Sequence, residues 1–291
     1  FKKKVVFLGG SLPVLIFAYL YRKRYKNHKI IILDQSSSPG GAWQNFKYKN
    51  TSIRKQSNIV LSENKHVEKK HEFINNFLRE NLGVKVYKIK KNIITKYKAK
   101  NQYQYNFEKF IKKIVKLKII RKFCVKKIEI LEKKIIKNKK LIVDKIFFPI
   151  YFGLDELIVN NITQKINFKV IKSEHVIAII KNSNFNNVFY ADFLNDFFDR
   201  AEFIKHKNFF SFSARITREN KNKKKLKIKN QLKKIFGDNN LISFFKFKYK
   251  NYYRDKQNIE KLKKLKLKNK LEILDTRSFM ISIQQIINYF K

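Results

Sequence analysis

Residues 4–34 narrow the choice of fold more than any other stretch of this 291-residue chain. Lys4–Leu8 (KVVFL) is a short, apolar, β-branched run of the kind that forms a parallel strand covered on both faces. Gly9-Gly10-Ser11 supplies a tight turn, and Leu12–Lys26 has helical length, with Pro13 in the first turn, where its missing N–H costs little. Lys29–Leu33 (KIIIL) reads as a second strand, closing at Asp34. Strand, glycine turn, helix, strand and terminal acid form a βαβ unit. Twenty residues separate Val14 from Asp34, the spacing at which a dinucleotide fingerprint places its ribose-binding acid. Such a site needs a backbone turn near a pyrophosphate, a helix N-terminus facing it and a carboxylate for the ribose hydroxyls. Gly9, Gly10, Ser11 and Asp34 are the residues predicted for those tasks. Of the three fingerprint glycines only Gly9 is present, since Ser11 and Val14 occupy the other two positions. That leaves open a Rossmann-like unit that holds no nucleotide.

Val5–Tyr21, seventeen residues between basic flanks, is also the only candidate for a signal peptide or a membrane span. Gly9, Gly10, Ser11 and Pro13 interrupt its middle, no small-x-small cleavage site follows, and the basic flank leads straight into Lys29–Leu33. The expectation is therefore no transmembrane span.

After Asp34 comes Gln35-Ser36-Ser37-Ser38-Pro39-Gly40-Gly41-Ala42-Trp43. A strand-end acid, a short polar loop and then Gly-Gly-x-Trp resembles the N-terminal region of the FAD-binding flavin amine-oxidase-like group, which includes protoporphyrinogen oxidase and UDP-galactopyranose mutase. The resemblance implies that Gly40, Gly41, Ala42 and Trp43 pass close to the flavin side of an FAD. It places Glu72–Leu82, ending at Gly83, as the first helix after the cofactor segment, with His66 the one remnant of an Asp-x-Gly-x-His stretch. It likens Phe123–Phe152 to a β-meander and return strand, with Val125 as the residue presenting backbone to the adenine and Cys124 a buried small residue beside it. Leu271–Leu274 and Arg277–Phe290 are similar to the closing strand and helix, where Thr276 would cap the helix or reach the cofactor and Asp275 replaces a usual glycine. Phe198–Glu219 resembles two strands of a substrate domain, and in the mutase branch Arg215, Arg218, Tyr252, Tyr253 and Arg254 would bind a nucleotide-sugar diphosphate.

Charge is the other conspicuous feature: 68 Lys+Arg against 22 Asp+Glu give +46, yet only ten of the basic residues are Arg. Lys, Asn, Ile, Phe and Tyr share A/T-rich codons, and the chain has 28 Phe and 14 Tyr beside 7 Gly and 3 Pro. Base composition therefore accounts for much of the excess. The basic runs are spread along the chain and no nucleic-acid readout module is present, which predicts no specific nucleic-acid partner and nonspecific, salt-sensitive attraction to anionic surfaces. One cysteine, Cys124, excludes an internal disulfide framework, and five scattered histidines offer no metal-ligand pair, so no metal site is predicted.

The expected architecture is α/β: a Rossmann-type FAD/NAD(P)-binding domain from residues 1–70, 115–155 and 262–291, with an inserted mixed sheet–helix substrate domain from 71–114 and 156–261. The resemblance implies an FAD-dependent oxidoreductase acting on a small molecule, with no catalytic residue named, and the lone cysteine makes a reduced, cytoplasmic setting the default expectation. A redox-neutral nucleotide-sugar mutase and a non-catalytic Rossmann-like binding protein are the alternatives.

Overall fold

The apolar runs at Lys4–Leu8 and Lys29–Asp34 lie side by side as parallel strands, with Val5 opposite Ile30 and Phe7 opposite Ile32. They belong to a five-stranded parallel sheet made of β1 (Lys4–Leu8), β2 (Lys29–Asp34), β3 (Ile120–Lys122), β4 (Lys145–Pro149) and β5 (Leu271–Leu274). Its spatial order is β3-β2-β1-β4-β5, the order of a doubly wound dinucleotide-binding sheet, which reverses direction between β1 and β4. The computed structural model describes residues 2–35, 39–55, 59–62, 65–89, 93–94, 101–123, 128–130, 135–137, 143–154, 156–159, 162–182, 190–220, 222–264 and 270–291. Val125, Cys124 and Ser36–Ser38 lie outside those residues, as does the side chain of His66. Among the described residues six helices accompany the strands: α1 (Leu12–Arg24), α2 (Lys65–Leu82), α3 (Glu108–Lys116), α4 (Lys225–Phe236), α5 (Lys256–Lys264) and α6 (Phe279–Phe290).

The chain divides into two compact units, one of residues 1–41, 109–171 and 251–291, the other of 42–108 and 172–250. Residues 42–70 thus fall in the second unit, and 109–114, 156–171 and 251–261 in the first.

In the first unit both faces of β1, β2 and β4 are covered, which is why these strands read as nearly unbroken apolar runs. Phe7 stacks on Phe147 at 4.3 Å on one face, and Phe17 of α1 meets Phe147 and Tyr289 edge-on at 4.6 and 4.9 Å. Val6, Leu8, Ile31, Leu33, Ile146 and Phe148 point the other way and pack with Ile259 and Leu262 of α5. Burial pushes the phenol of Tyr289, inside the aromatic cluster, up to about 12. Helix α1 is buried on nearly every side from Leu12 to Tyr21. A helix apolar all round is a core helix in a soluble fold as readily as a membrane one, and here nine of its thirteen residues are buried in the domain, all of them between Leu12 and Tyr21. Among the described residues no helix is long and apolar enough to cross a membrane. A four-stranded sheet holds Ile128–Ile130 and Ile135–Lys137 of the expected meander, with Ile128–Ile130 running parallel to Glu156–Val159.

The second unit is built on a six-stranded mixed sheet that includes Lys169–Ile180, Phe210–Ile216 and Phe198–Lys205 as antiparallel neighbours. Alternation sends Val176, Ala178, Phe203, Phe212 and Ala214 to the face covered by Ile228, Leu232 and Phe236 of α4. The opposite face carries Ile177 and Ile179, packed with Ile53 and Phe46 of the hairpin Asn45–Tyr48/Thr51–Arg54. A separate three-stranded sheet, Ile59–Ser62, Asn101–Asn106 and Lys85–Ile89, carries α2, where Tyr105 donates to Asn75 at 2.8 Å.

Candidate functional site

The carboxyl end of β1 is where the predicted dinucleotide turn falls, and its geometry follows from two glycines. Gly9 has φ +79°, a left-handed conformation that L side chains rarely adopt, and its N–H donates to Leu33 O at 2.7 Å. Gly10 serves a different need. A Cβ there would lie 2.9 Å from Cγ of Asp34, so the Asp34 carboxylate at the end of β2 occupies the space above the glycine. Gly10 O accepts from the N–H of Gly40 at 2.6 Å, which ties the second glycine segment to the first. Asp34 O accepts from Phe123 N at 2.7 Å, fixing the end of β2 against the segment after β3.

Ser11 is the N-cap of α1, with extended φ −65° and ψ 152°, and its side chain makes no capping hydrogen bond. Leu15 N donates to Ser11 O, while the N–H groups of Leu12 and Val14 lie outside the helix's own ladder; Pro13 has none. The first turn of α1 contains no acid and the last turn holds Arg22, Lys23 and Arg24. Such a helix presents an uncompensated positive end to an anion. Val14, at the third glycine position, is 1% exposed and accommodated within the core. An uncapped helix end beside a strand-end carboxylate fits the diphosphate and ribose of an adenine dinucleotide.

Gly41, Ala42 and Trp43 form a short 3-10 turn. Ala42 and Trp43 belong to the second unit, where the Trp43 ring lies edge-on to Phe107 at 5.3 Å.

Near the C-terminus the cap of α6 is Ser278, not Thr276: Ser278 Oγ accepts from Ile281 N at 3.2 Å. The reason is spacing, since the helix begins at Phe279 and only Ser278 stands three residues before an unsatisfied N–H. Thr276 Oγ1 is buried without a hydrogen-bond partner. Asp275 is bound by Arg277, Nη2 to Oδ2 at 2.6 Å. Burial raises the pKa of this carboxyl, but its hydrogen bonds and ion pair with Arg277 outweigh that and hold it below the usual range.

Tyr252, Tyr253 and Arg254 are in the first unit and Arg215 and Arg218 in the second. Arg254 is 1% exposed and buried in backbone: Nε donates to Ile166 O at 3.1 Å, Nη1 to Ile150 O at 2.5 Å and to Phe152 O at 2.8 Å, and Nη2 to Leu154 O. The rings of Phe148 and Phe168 flank the guanidinium at 5.7 and 5.4 Å. Its donors hold the loop after β4, and that loop sets Phe152 3.4 Å from the Cβ position of Gly9. Arg254 therefore shapes the wall of the turn and is not a solvent-facing anion binder. Tyr252 lies edge-on to Phe168 at 5.1 Å, and Tyr253 is 44% exposed.

Arg215 makes a two-pronged ion pair with Asp199, Nε to Oδ1 and Nη2 to Oδ2 both at 2.6 Å. Arg218 is exposed in a short 3-10 turn. Beside Arg215 on the next strand is His175, edge-on to Tyr249 at 5.0 Å. Burial first, and then the Arg215 charge, lower the imidazole pKa to about 4 against a weaker opposing pull from Asp199. The folded state therefore holds His175 neutral where the unfolded chain would protonate it, and stability present above about pH 6.5 is lost as pH falls toward 4. Urea unfolding at pH 7 and pH 4.5 checks this. The wild type should lose about 2 kcal/mol more than His175→Phe over that interval, and equal losses would show that the imidazole is not held neutral.

The sequence offered no hint of a second buried group. Glu202 is 0% exposed, and its Oε1 accepts from Arg54 Nη1 at 2.8 Å and Gln104 Nε2 at 2.7 Å. Its Oε2 is buried without a partner. Burial raises the carboxyl pKa more than Arg54 and Gln104 lower it. No group of His, Cys, Asp and Glu among the described residues could hold a metal ion.

The sheet order, the glycine turn and the strand-end acid define a Rossmann-type α/β fold, and the chain has the fold of flavin amine-oxidase-like proteins. A putrescine oxidase double mutant, from a structure-based redesign of cofactor binding, superposes with TM-score 0.67 at 6% identity, covering 99% of each chain. A candidate protoporphyrinogen oxidase from Exiguobacterium gives 0.67 at 9% identity over 99% of this chain and 98% of the other. An FAD-dependent oxidoreductase from Pseudomonas aeruginosa gives 0.59 at 8% identity over 100% and 90%. No family model and no curated protein matches the sequence.

Proposed function

We propose that the chain is an FAD-dependent oxidoreductase acting on a small molecule. The observation that carries this reading is Asp34, whose carboxylate stands over Gly10 at the carboxyl end of the parallel sheet. The fold shared with structures of putrescine oxidase and an FAD-dependent oxidoreductase supports it. In this reading Asp34 accepts from ribose hydroxyls, and Gly9, Gly10 and the first N–H groups of α1 receive the diphosphate. Thr276, with its buried unpartnered hydroxyl, belongs to the flavin side. Gly40 and Gly41 follow the turn through the Gly40–Gly10 hydrogen bond. The first unit is the cofactor domain and the second the substrate domain. FAD supplies the redox chemistry when bound; the protein supplies binding, orientation and access. The nucleotide-sugar alternative gains no support from the arginines, because Arg254 donates to backbone carbonyls and Arg215 to Asp199.

Asp34→Ala tests the assignment. A hydrogen bond to a charged acceptor contributes about 1.5–3 kcal/mol, so FAD affinity should fall about 10- to 100-fold. FMN, which lacks the adenosine, should bind the variant and the wild type alike. Gly10→Val, whose Cβ would displace the carboxylate, should reproduce the loss. Unchanged FAD affinity in both variants would place the ribose elsewhere.

A further inference from the structure

The lysine excess is spread along the sequence, but the fold gathers part of it into one surface of the first unit. Helices α1 and α3 lie against each other there: Tyr19 meets Phe110 edge-on at 5.5 Å, and Lys113 Nζ is 4.9 Å from the Tyr19 ring centroid. Lys109, Lys113 and Lys116 recur at the i, i+4, i+7 spacing of one helix face, and all three are exposed, as is Lys112. One turn beyond Tyr19, α1 exposes Arg22 and Lys23. The strand that follows α3, the edge strand β3, adds exposed Arg121 and Lys122. Against these cations α1 contains no acid and α3 only Glu108, at its first position. Part of this placement serves the helices themselves, because cations in a last turn favour the helix dipole. That need ends within one turn, and Lys109 stands at the other end of α3.

We propose that this face of α1 and α3 docks the phosphodiester backbone of a nucleic acid, without reading its bases. The cations stand on two rigid helices at spacings of one helical turn, which suits a regular row of phosphates, and lysine acts on phosphate as a point charge. A membrane-surface helix would also expose large apolar side chains for insertion. Here α1 exposes none and α3 only Val115, at 49%. The face runs along the C-terminal half of α1, away from the Gly9–Ser11 turn at its start, so docking is independent of the dinucleotide site.

The test separates a local surface from overall charge. Binding of a fluorescent DNA duplex of about 20 base pairs is measured by anisotropy across a salt series, since removing one cation from a phosphate should reduce the slope of log affinity on log salt by about 0.9. The variant Lys23→Gln/Lys109→Gln/Lys113→Gln/Lys116→Gln should lose about 3.6 from that slope. The α4 variant Lys225→Gln/Lys227→Gln/Lys229→Gln/Lys234→Gln, with the same change in net charge, should lose less than about 1. Glutamine is a good helix former, so both variants should keep their helical circular dichroism; should the first fail to fold, the arginine version of the same four positions must retain the wild-type slope. Equal losses in both glutamine variants would overturn the proposal, as would a wild type that does not bind the duplex at about 50 mM salt. It is also overturned if the first variant loses binding only to phosphatidylserine vesicles, which would make the surface a lipid-binding one.

Discussion

Replacing Arg254 with methionine is expected to destabilise the protein by about 3–5 kcal/mol, the range for removing one member of a buried charged network. The side chain donates to the carbonyls of Ile150, Phe152, Leu154 and Ile166, all four of them buried residues. A methionine fills the volume but leaves those acceptors buried and unpaired, which carries the desolvation cost of each. Lysine at the same position should recover only part of the loss, because a compact ammonium has three donors in a different geometry from the planar fork. Denaturant unfolding reads the difference, with exposed Arg218→Met as the control, expected to stay within about 0.5 kcal/mol. A loss for Arg254→Met as small as the control's would mean that the loop after β4 does not depend on the guanidinium.

The second large effect concerns Arg54 and Glu202. Arg54→Leu should cost about 3–5 kcal/mol at pH 7, because it leaves the fully buried Glu202 carboxylate with only Gln104. Burial already raises the pKa of this carboxyl, and losing Arg54 raises it further. For a carboxyl whose folded pKa lies above its unfolded one, the linked stability is fully present below the unfolded pKa and is lost as pH rises through the folded value. Arg54→Leu should therefore be less damaging near pH 4 than at pH 7, once the contribution of His175 is removed by comparison with wild type. Adding Glu202→Gln should recover most of the loss at pH 7, since a neutral amide needs no counter-charge. The thermodynamic cycle over wild type, the two single variants and the double variant measures the coupling. A pH-independent Arg54→Leu defect with no rescue would show that the ion pair is not what holds the site.

These two clusters also mark where the sequence stops being readable. β1, β2 and β5 stand where their apolar runs predict them, with Asp34 closing β2 and Leu271–Leu274 forming β5, because a strand covered on both faces writes its burial directly into composition. The pair Phe198–Lys205 and Phe210–Ile216 is legible for a related reason, since alternating apolar positions bounded by a polar turn specify a hairpin. Arg254 is opaque because its partners are backbone carbonyls, which every residue possesses. Glu202 is opaque because its partners lie 148 and 98 positions away. The exchange of Thr276 for Ser278 at the cap of α6 is a boundary shift of two residues, within the uncertainty of any helix start read from periodicity. The apolar α1 shares its composition with a membrane segment, and in the sequence the Gly9-Gly10-Ser11 turn, Pro13 and the strand Lys29–Leu33 that follows distinguish the two.

In the turn after β1, Gly10 is set by a neighbour that sequence spacing does identify. The room it leaves is taken by Asp34, twenty-four positions along the chain, so the glycine and the acid are one feature. That pairing leaves the third glycine position to Val14, which is buried in the core.

Whether this turn holds FAD is measured most directly by a visible-absorbance titration of the purified protein with FAD at high salt, where nonspecific attraction of an anionic cofactor is screened. The expected result is a saturable change in the flavin bands, with about one FAD per chain, that Asp34→Ala weakens. A wild-type protein that leaves the flavin spectrum unchanged at every ratio would contradict it.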